Sequence, residues 1–513
     1  MILIFHQNGY AEGLSCNNKL QADFDRQPIA NALLDAAKHH PDEFLIWCHS
    51  ALKEGLNVSE FEAIFHHRKI MAAFNPSETD FLPDAIGYVE DAPFIKINKN
   101  VCYPTWRMSS WVGGVHASVL LALENELILD SSFGYFLHSF GKTAMSQGLL
   151  CYSEPKLLIG NLSIPAVKQA NNQLLFRFVK QHYKTRWVFL LLLNLCIYEK
   201  KFPVVAFLKA LFYRKRKFSP YTLEGIRVQS SLTVVQRKTI DVVIPTIGRK
   251  KYLYDVLKDL AAQTHLPEKV IIVEQNPEIE SQTELDFLAN EIWPFQIKHH
   301  FIHQTGACNA RNLAFKEVTS EWVFLADDDI RFNADFMKDS FTAFEKYGLE
   351  VFTVNCLQKN EKNLNPYINQ TSMFGSGCSF LHTRMLNENI RFSMKFEHGY
   401  GEDTDFGMQL RNKGFDVLFL PKPEILHLKA PMGGFRIKPI LPWQQDLIIP
   451  KPSPTIMLFR QLYYSTTQLN GYKTMLFFKF YNQQQIKNPI RYFLNFQKGW
   501  LQSLDWAKKL AEK

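Results

Sequence analysis

The sequence predicts an α/β fold with a mostly parallel sheet flanked by helices. Short apolar runs with strand character alternate with segments whose apolar residues recur at helical spacing, most clearly between residues 238 and 432. Strands that alternate with helices imply a sheet that is covered on both faces. With 513 residues, of which 46% are hydrophobic and 21% charged, the chain can form two or three domains that each bury a core.

These patterns divide the chain into four segments. Residues 1–155 form a predicted N-terminal α/β domain, and residues 156–237 form a predicted helical linker. Residues 238–432 form a second α/β domain. Residues 433–513 form a C-terminal segment that is first rich in proline and then aromatic and helical.

The second α/β domain shows a regular order of predicted elements. They are the strand Ile240–Thr246, the helix Tyr252–Gln263, the strands Val270–Val273 and Ile297–Ile302, the helix Ala307–Val318 and the strand Trp322–Ala326. Ligands of parallel sheets bind beyond the carboxyl ends of the strands. Because Thr246, Glu274 and Asp327–Asp329 lie at such ends, we expect them to share one crevice.

The triplet Asp327-Asp328-Asp329 directly follows a strand-like apolar run. Three carboxylates at a strand end are costly unless something positive binds there. Carboxylate oxygens are the ligands that Mg²⁺ and Mn²⁺ prefer, and a metal held in this way usually also binds a phosphate. The triplet therefore predicts a site for Mn²⁺ or Mg²⁺ and a diphosphate.

A second acidic cluster, Glu402-Asp403-Thr404-Asp405, follows Gly399-Tyr400-Gly401. If one cluster binds metal and diphosphate, the other can remove a proton, which suggests transfer of a group from a nucleotide donor to a hydroxyl. The alternative is a helix N-terminus that is enriched in acidic residues. Both interpretations can hold together, since a helix start would fix the carboxylate in place.

Taken together, residues 238–432 resemble the family 2 glycosyltransferases, which have the GT-A fold. The matching segments, in family order and spacing, are Val243-Ile244-Pro245-Thr246, Val273-Glu274-Gln275-Asn276, Gly306-x-x-x-Ala310-Arg311-Asn312-x-Ala314, Asp327-Asp328-Asp329 and Gly401-Glu402-Asp403-Thr404-Asp405. The resemblance implies an inverting transferase that uses a nucleotide sugar.

The resemblance also implies roles on the donor side. Pro245 and Thr246 lie where the nucleotide binds, and Glu274 takes the place of the carboxylate, usually Asp, that contacts the base. Uracil is the expected base, so a UDP-sugar is the expected donor. Arg311 and Asn312 match the pair that shapes the donor pocket, with polarity on the surface of an amphipathic helix as the alternative.

For the metal, the resemblance implies Asp329 as the main ligand. Asp328 assists it, and Asp327 contacts the ribose or the sugar. His427 lies where many relatives complete the metal shell with a histidine, although a lone histidine is as often structural.

On the acceptor side, Asp403 matches the catalytic base of the family's Glu-Asp pair, with Glu402 beside it. Gly377, Arg384 and Tyr400 match, more weakly, the segment near the donor sugar and acceptor.

The N-terminal domain has neither acidic cluster. Its segment Trp106–Leu121 faintly resembles the acceptor-side part of the same fold, so we interpret residues 1–155 as a degenerate GT-A-like domain.

Two apolar runs in the linker, Trp187–Tyr198 and Val204–Phe212, precede the basic run Arg214–Lys217. Twelve helical residues reach about 18 Å, whereas the hydrocarbon core of a bilayer is about 30 Å thick. The first run is therefore too short to span a membrane. Two hypotheses remain, which are a buried inter-domain helix pair and an interfacial membrane anchor.

The predicted function is metal-dependent, inverting transfer of a sugar to a saccharide or a lipid-linked saccharide in surface polysaccharide synthesis. The rival is a non-catalytic saccharide-binding or scaffold protein that retains a donor pocket. The net charge of +8 argues little by itself. The clearest basic run, Arg214–Lys217, follows an apolar stretch and so fits a membrane surface at least as well as nucleic acid, and we expect no nucleic-acid partner. We expect a cytoplasmic protein that is peripheral at the inner face of the cell membrane.

Overall fold

A computed structural model describes residues 1–16, 19–21, 26–160, 164, 169–363, 365–430 and 440–512. The chain forms two compact units. The first comprises Met1–Leu232 and Tyr463–Lys487, and the second comprises Thr233–Leu462 and Asn488–Lys513. The helices of the predicted linker thus belong to the first unit, and the C-terminal segment contributes to both units. The predicted boundary at residue 432/433 lies outside the described residues.

The first unit contains eight strands among its described residues. They are β1 (Ile2–Gln7), β2 (Tyr10–Cys16), β3 (Lys19–Gln21), β4 (Phe44–His49), β5 (Ile70–Phe74), β6 (Tyr103–Pro104), β7 (Val112–His116) and β8 (Leu150–Ser153). Its helices are α1 (Ile29–His39), α2 (Phe61–Ile64), α3 (Ala117–Ala122), α4 (Phe133–Met145), α5 (Asn172–His182), α6 (Arg186–Asn194), α7 (Val204–Ala210) and, near the end of the chain, α14 (Thr466–Tyr481).

The strands of the first unit form a mixed sheet in the order β3-β2-β1-β4-β7-β5-β8-β6. Helices α1, α3 and α4 pack against this sheet in one apolar cluster. Helices α5, α6 and α7 pack in a second cluster that buries Tyr88, Trp106 and Phe178. The amphipathic periodicity of α1 and α5 explains this packing, because their apolar residues lie on one face.

The second unit contains nine strands among its described residues. They are β9 (Ile240–Thr246), β10 (Lys269–Gln275), β11 (Gln296–Ile302), β12 (Trp322–Ala326), β13 (Ile330–Arg331), β14 (Val351–Leu357), β15 (Asn369–Thr371), β16 (Cys378–His382) and β17 (Val417–His427). Its helices are α8 (Lys250–Ala261), α9 (Phe287–Asn290), α10 (Ala307–Ala314), α11 (Phe336–Tyr347), α12 (Glu402–Asn412), α13 (Pro454–Tyr463) and α15 (Pro489–Ala511).

The sheet of the second unit has the order β11-β10-β9-β12-β16-β14-β17-β13, and β15 pairs with β17. The four strands β11, β10, β9 and β12 are parallel, so their carboxyl ends meet at one edge. Strand β16 inserts antiparallel between β12 and β14. The predicted α/β class is confirmed. The sheet is parallel in the half formed by β11, β10, β9 and β12, which are the strands that the sequence predicted.

The two sheets share a pattern of strand directions. In the first unit β1 is parallel to β4, β7 lies antiparallel between β4 and β5, and β5 is parallel to β8. In the second unit β9, β12, β16, β14 and β17 show the same sequence of directions. The units differ beside the first strand, where the hairpin β2–β3 stands in place of the parallel strands β10 and β11.

Candidate active site

A crevice of about 510 Å³ lies in the second unit at the carboxyl ends of its parallel strands. Thr246 ends β9, Gln275 ends β10, and Asp327 follows β12. The opposite part of the lining comes from the start of β16 and from the start of α12. Parallel strands bring these residues to one edge, where α/β sheets bind ligands.

One group of side chains in the crevice can hold a metal ion. Asp327, Asp329 and His427 each offer one ligand atom, and these three atoms lie within 4.8 Å of one another. Strand β13, which follows the triplet, pairs with the end of β17 and so brings His427 beside Asp329. Two carboxylates and an imidazole are a donor set that suits Mn²⁺ well and Mg²⁺ acceptably.

The carboxylate of Asp329 is held by its surroundings. It lies 3.4 Å from His427 Nε2 and accepts a 2.8 Å hydrogen bond from the backbone N–H of Ala430. Burial would raise the pKa of Asp329, but the contact with His427 and this N–H bring it below its ordinary value. The same contact raises the pKa of His427. The site thus favours an ionised Asp329, whose charge in turn favours the protonated form of His427.

Asp328 points away from this group. Its carboxylate accepts hydrogen bonds from Thr246 Oγ1 at 2.7 Å and from Arg249 Nη1 at 2.6 Å. Arg249 Nη1 also lies 3.4 Å from Asp329 Oδ2. Burial raises the pKa of Asp328 to about 6, although Arg249 opposes the shift. The structure therefore gives Asp328 protein partners of its own, whereas the sequence led us to expect it beside the metal.

Arg311 places a buried positive charge between the two acidic clusters. Its Nη2 lies 3.3 Å from Asp327 Oδ1. Burial raises the pKa of both Glu402 and Asp403, and the charge of the guanidinium opposes that rise. The side chain is 6% exposed, so this charge is poorly screened by water.

Glu402 and Asp403 are the first two residues of α12 and both line the crevice. Asp403 Oδ1 accepts a hydrogen bond of 3.3 Å from the backbone N–H of Ser376. Burial, followed by the charge of Asp403, raises the pKa of Glu402 to about 7. Burial also raises the pKa of Asp403. Carboxylates with raised pKa values accept a proton more readily than surface carboxylates do.

Two glycines allow the backbone to approach these side chains closely. A Cβ on Gly377 would lie 2.2 Å from the carboxylate of Asp327. Gly306 has a φ of 144°, and a Cβ there would lie 2.3 Å from the carboxylate of Glu397. A larger residue at either position would displace a carboxylate that lines the crevice.

The N-terminus of α10 also faces the crevice and has polar partners from distant parts of the chain. Gln275 Oε1 accepts from the backbone N–H of Gly306 at 2.6 Å. Glu397 accepts from the N–H groups of Cys308 and Asn309 at 3.1 and 2.8 Å. These two side chains satisfy N–H groups that the helix itself cannot pair.

Four of the sequence-predicted site residues do not line the crevice. Glu274 accepts from Thr283 and His299, and Asn312 exchanges hydrogen bonds with the backbone of Phe392. Arg384 pairs with Glu350 at the other end of β16. Tyr400 is 61% exposed and follows Gly399, which does line the crevice.

The structure brings the remaining predicted residues together: Pro245, Thr246, Arg311, Asp327, Asp328, Asp329, Gly377, Glu402, Asp403 and His427. It adds Arg249, Gln275 and Glu397, which the sequence interpretation missed. Arg249 had a signal, because a basic residue in the turn directly after β9 can reach the triplet after β12. Glu397 had none, since its partners lie 88 and 89 residues away.

Among the helices that the structure describes, none is both long enough and apolar enough to cross a bilayer.

Three solved structures that match the chain are glycosyltransferases. S. aureus TarS 1–349 in complex with UDP is 20% identical, with a TM-score of 0.31 over 38% of this chain and 61% of that chain. TarS 1–349 in complex with UDP-GlcNAc is 15% identical, with a TM-score of 0.37 over 53% and 90%. The mannosyltransferase PcManGT from Pyrobaculum calidifontis, in complex with GDP-Man and Mn²⁺, is 13% identical, with a TM-score of 0.32 over 56% and 78%.

The chain spans about three fifths of two TarS 1–349 structures, which are the complex with UDP at 61% and another TarS 1–349 structure at 60% of its chain. A comparison with curated proteins found no match. The family described as "Glycosyl transferase family 2" matches residues 241–406, which run from β9 into α12 and include both acidic clusters. Residues 241–406 of this chain are therefore a glycosyl transferase family 2 domain.

Proposed function

We propose that the chain is a metal-dependent, inverting glycosyltransferase that moves a sugar from a nucleotide sugar to a saccharide or lipid-linked saccharide. The observation that carries this proposal is the juxtaposition in one crevice of a metal-ligand group and a separate, partly buried carboxylate pair. A binding protein needs the first of these but has no use for a base.

Asp327, Asp329 and His427 would hold Mn²⁺ or Mg²⁺ through two oxygens and one nitrogen. The bound ion would neutralise the charge of a diphosphate leaving group. Arg311 and Arg249 line the same crevice and add two fixed positive charges to that side. The backbone N–H contact to Asp329 keeps its carboxylate in one orientation, as outer-shell contacts of metal ligands do.

Asp403 is the proposed general base, and Glu402 is its partner. An inverting displacement needs a base on the side opposite the leaving group. The first turn of α12 carries both carboxylates, and the Ser376 N–H orients Asp403. Asp403 would take the proton of the acceptor hydroxyl, while Glu402, with a pKa of about 7, would be partly protonated near neutral pH and so keep the local charge low.

The donor is proposed to be a UDP-sugar. Pro245 and Thr246 end β9 at the edge where a nucleotide would bind, and Gln275 ends the neighbouring strand. Glu274 and Asn312 would act by shaping the walls from behind, since both are bonded to protein groups. Gly377 keeps its acceptor-side role, whereas Tyr400 would act at the rim.

The first unit is proposed to be a degenerate GT-A-like domain. Its strand directions from β1 to β8 follow those of the second unit. Strand β4 takes the place of β12, yet it ends in Cys48-His49 and is followed by Ser50, where β12 is followed by three aspartates. We infer that this unit supports the transferase without a metal site of the same kind. We also propose that the protein works in the cytoplasm at the inner face of the cell membrane.

A thermal-shift panel tests the donor proposal. Nucleotides and nucleotide sugars are screened with Mn²⁺ and with EDTA, for the wild type and for Asp329→Ala. A ligand at about 100 times its Kd should stabilise the fold by about 2.7 kcal/mol. The stabilisation should need Mn²⁺ and should be lost in Asp329→Ala but kept in the control Asp339→Ala, which alters an exposed acid on α11. Equal stabilisation with EDTA would contradict a metal-dependent donor site.

A further inference from the structure

The first unit carries a set of exposed apolar side chains on α6, α7 and the segments beside them. Phe202, Val205 and Phe212 are 69%, 67% and 88% exposed. Phe189, Val204 and Leu208 are each about half exposed. Large apolar side chains that occur singly on a surface are ordinary, but six within 24 residues are not.

Two of these exposed side chains lie on one face of α7, since Val204 and Leu208 are one helical turn apart. Phe212 follows four residues after Leu208, just beyond the end of the helix. Phe189 of α6 contacts Phe207 of α7 edge to face, with ring centroids 5.1 Å apart.

The opposite face of the helix pair is fixed in the core. Val188 and Leu191 of α6 and Phe207 of α7 are at least nine-tenths buried in the cluster that also contains Tyr88. The helix pair is therefore apolar on both sides, and its inner side is already satisfied by packing. A helix that is apolar all round is expected inside a core or in contact with lipid.

The charge around this face is strongly one-sided. Residues 184–217 contain nine Lys and Arg residues and one acid, Glu199. Their net charge of +8 equals that of the whole chain. Glu199 is already paired with Lys201 at 2.8 Å, and Arg216 is the one basic residue here that pairs with a buried carboxylate, Asp130. Lys200, Lys209 and Arg214 are among the exposed ones.

We propose that this face, formed by α6, α7 and residues 198–217, docks the protein on an anionic lipid surface. The apolar side chains would enter the boundary between headgroups and acyl chains, while the lysines and arginines contact the lipid phosphates. Nine residues of α6 reach about 14 Å, so the helix pair lies on the bilayer and does not cross it. Charge complementarity selects lipid phosphates over a second copy of this basic surface.

This docking is independent of the transferase activity, although it would hold the enzyme where lipid-linked acceptors reside. Apolar contact and basic charge together provide the two signals that stable surface binding needs. Each basic residue near anionic lipid should contribute about fivefold in affinity, and the contribution should fall with salt.

Flotation of the full chain with phosphatidylcholine vesicles, with and without phosphatidylserine, tests the proposal. The wild type should float with the anionic vesicles at low salt, and less so at high salt. The variant Val205→Ser/Leu208→Ser/Phe212→Ser should lose at least tenfold in binding. The control Ile279→Ser/Ile292→Ser removes two exposed apolar residues of the second unit and should float like the wild type. A second variant, Lys200→Glu/Lys209→Glu, should also bind more weakly.

Because all of these side chains are exposed, the variants should melt at the wild-type temperature, which a thermal scan verifies. Wild-type protein that stays at the bottom of the gradient at low salt would overturn the proposal. So would equal flotation with neutral vesicles, or a triple serine variant that floats like the wild type. If the wild type did not float but formed a dimer, and the triple serine variant were a monomer, the apolar face would instead bind a second copy of the chain.

Discussion

The partly buried carboxylates Glu402 and Asp403 are the residues on which the proposed chemistry depends. Both have raised pKa values because they lie in the crevice wall with little access to water. The charge of Arg311 opposes the rise of each pKa. The structure thus provides carboxylates that accept a proton more readily than an ordinary surface aspartate does.

Asp403→Asn should separate chemistry from binding. The amide keeps the size of the side chain but is a far poorer proton acceptor, so transfer should fall about 10²–10⁴-fold. The Kd for donor with metal should change little, because the proposed base contacts the acceptor and not the diphosphate. Steady-state transfer and calorimetry measure the two quantities. If Asp403→Asn kept full activity while Glu402→Gln was inactive, the role of base would pass to Glu402.

Stability should depend on pH through Glu402. Its pKa in the folded protein, about 7, lies above its ordinary value of 4.5, so the folded state holds its proton more tightly than the unfolded state does. The stabilising contribution is complete below about pH 4.5 and is lost as the pH rises through about 7, by at most about 3 kcal/mol. Asp403 acts in the same direction.

The melting temperature of metal-free wild type should therefore fall between about pH 5 and pH 8. Glu402→Gln cannot ionise and should show a smaller fall. The control is Glu388→Gln, which changes an exposed carboxylate that pairs with Lys413 on the surface. A fall that is the same in Glu402→Gln and the wild type would show that Glu402 has no raised pKa in the folded protein.

At the level of single residues, the sequence could predict which crevice residues lie at the carboxyl ends of strands. Thr246, Glu274 and Asp327–Asp329 were expected in one crevice because parallel strands end at one edge. The structure brings Thr246 and the triplet together there, whereas Glu274 bonds Thr283 and His299 and does not line the crevice. Side-chain direction could not be predicted in the same way. Asp328 and Asp329 are neighbours in the triplet, yet one bonds Thr246 and Arg249 while the other lies beside His427.

The elements that shape the site are β12, β16, α10 and α12. Strand β16 runs antiparallel to β12, which brings Gly377 against Asp327 at the point where the triplet begins. This insertion could not be predicted from alternating strands and helices, because local periodicity carries no information about strand direction. The short helix α10 depends on partners outside itself, since Gln275 and Glu397 pair its first N–H groups.

Glu397→Ala should loosen the start of α10. Removing a side chain that accepts hydrogen bonds from two helix-terminal N–H groups typically costs about 0.5–2 kcal/mol. Glu397→Gln retains an acceptor and should cost less, while Glu388→Ala on the surface should be close to neutral. Chemical denaturation measures these differences. An unchanged midpoint for Glu397→Ala would mean that water replaces the carboxylate at no cost.

On the scale of the whole molecule, the chain is built from two units whose segments alternate along the sequence. The first unit needs residues well beyond 155, because side chains of α5, α6 and α7 pack with Tyr88 and Trp106 in one buried cluster. Leu223 and Ile226 add to its other cluster, and Gln468 donates to the backbone of Glu90. A core that is completed by residues distant in the sequence is hard to predict from the sequence alone. The apolar runs of α6 and α7 were equally consistent with a linker between two domains.

The fragment of residues 1–155 should therefore fold poorly on its own. It would expose several side chains that each contribute about 1.5–3 kcal/mol when buried, against a typical total stability of about 5–15 kcal/mol. Residues 1–232 should show a cooperative melt, whereas 1–155 should not. Circular dichroism during heating compares them. Equal melting temperatures for the two fragments would contradict the assignment of α5–α7 to this unit's core.

The most direct test of the central claim is turnover of a nucleotide sugar by the full chain. Release of nucleoside diphosphate is measured with Mn²⁺ and with EDTA, for the wild type, Asp329→Ala, Asp403→Asn and the surface control Asp339→Ala. We predict Mn²⁺-dependent release that Asp339→Ala retains, that Asp329→Ala loses together with donor binding, and that Asp403→Asn loses while still binding donor. Donor binding without turnover in the wild type would contradict the claim and would favour the saccharide-binding or scaffold alternative.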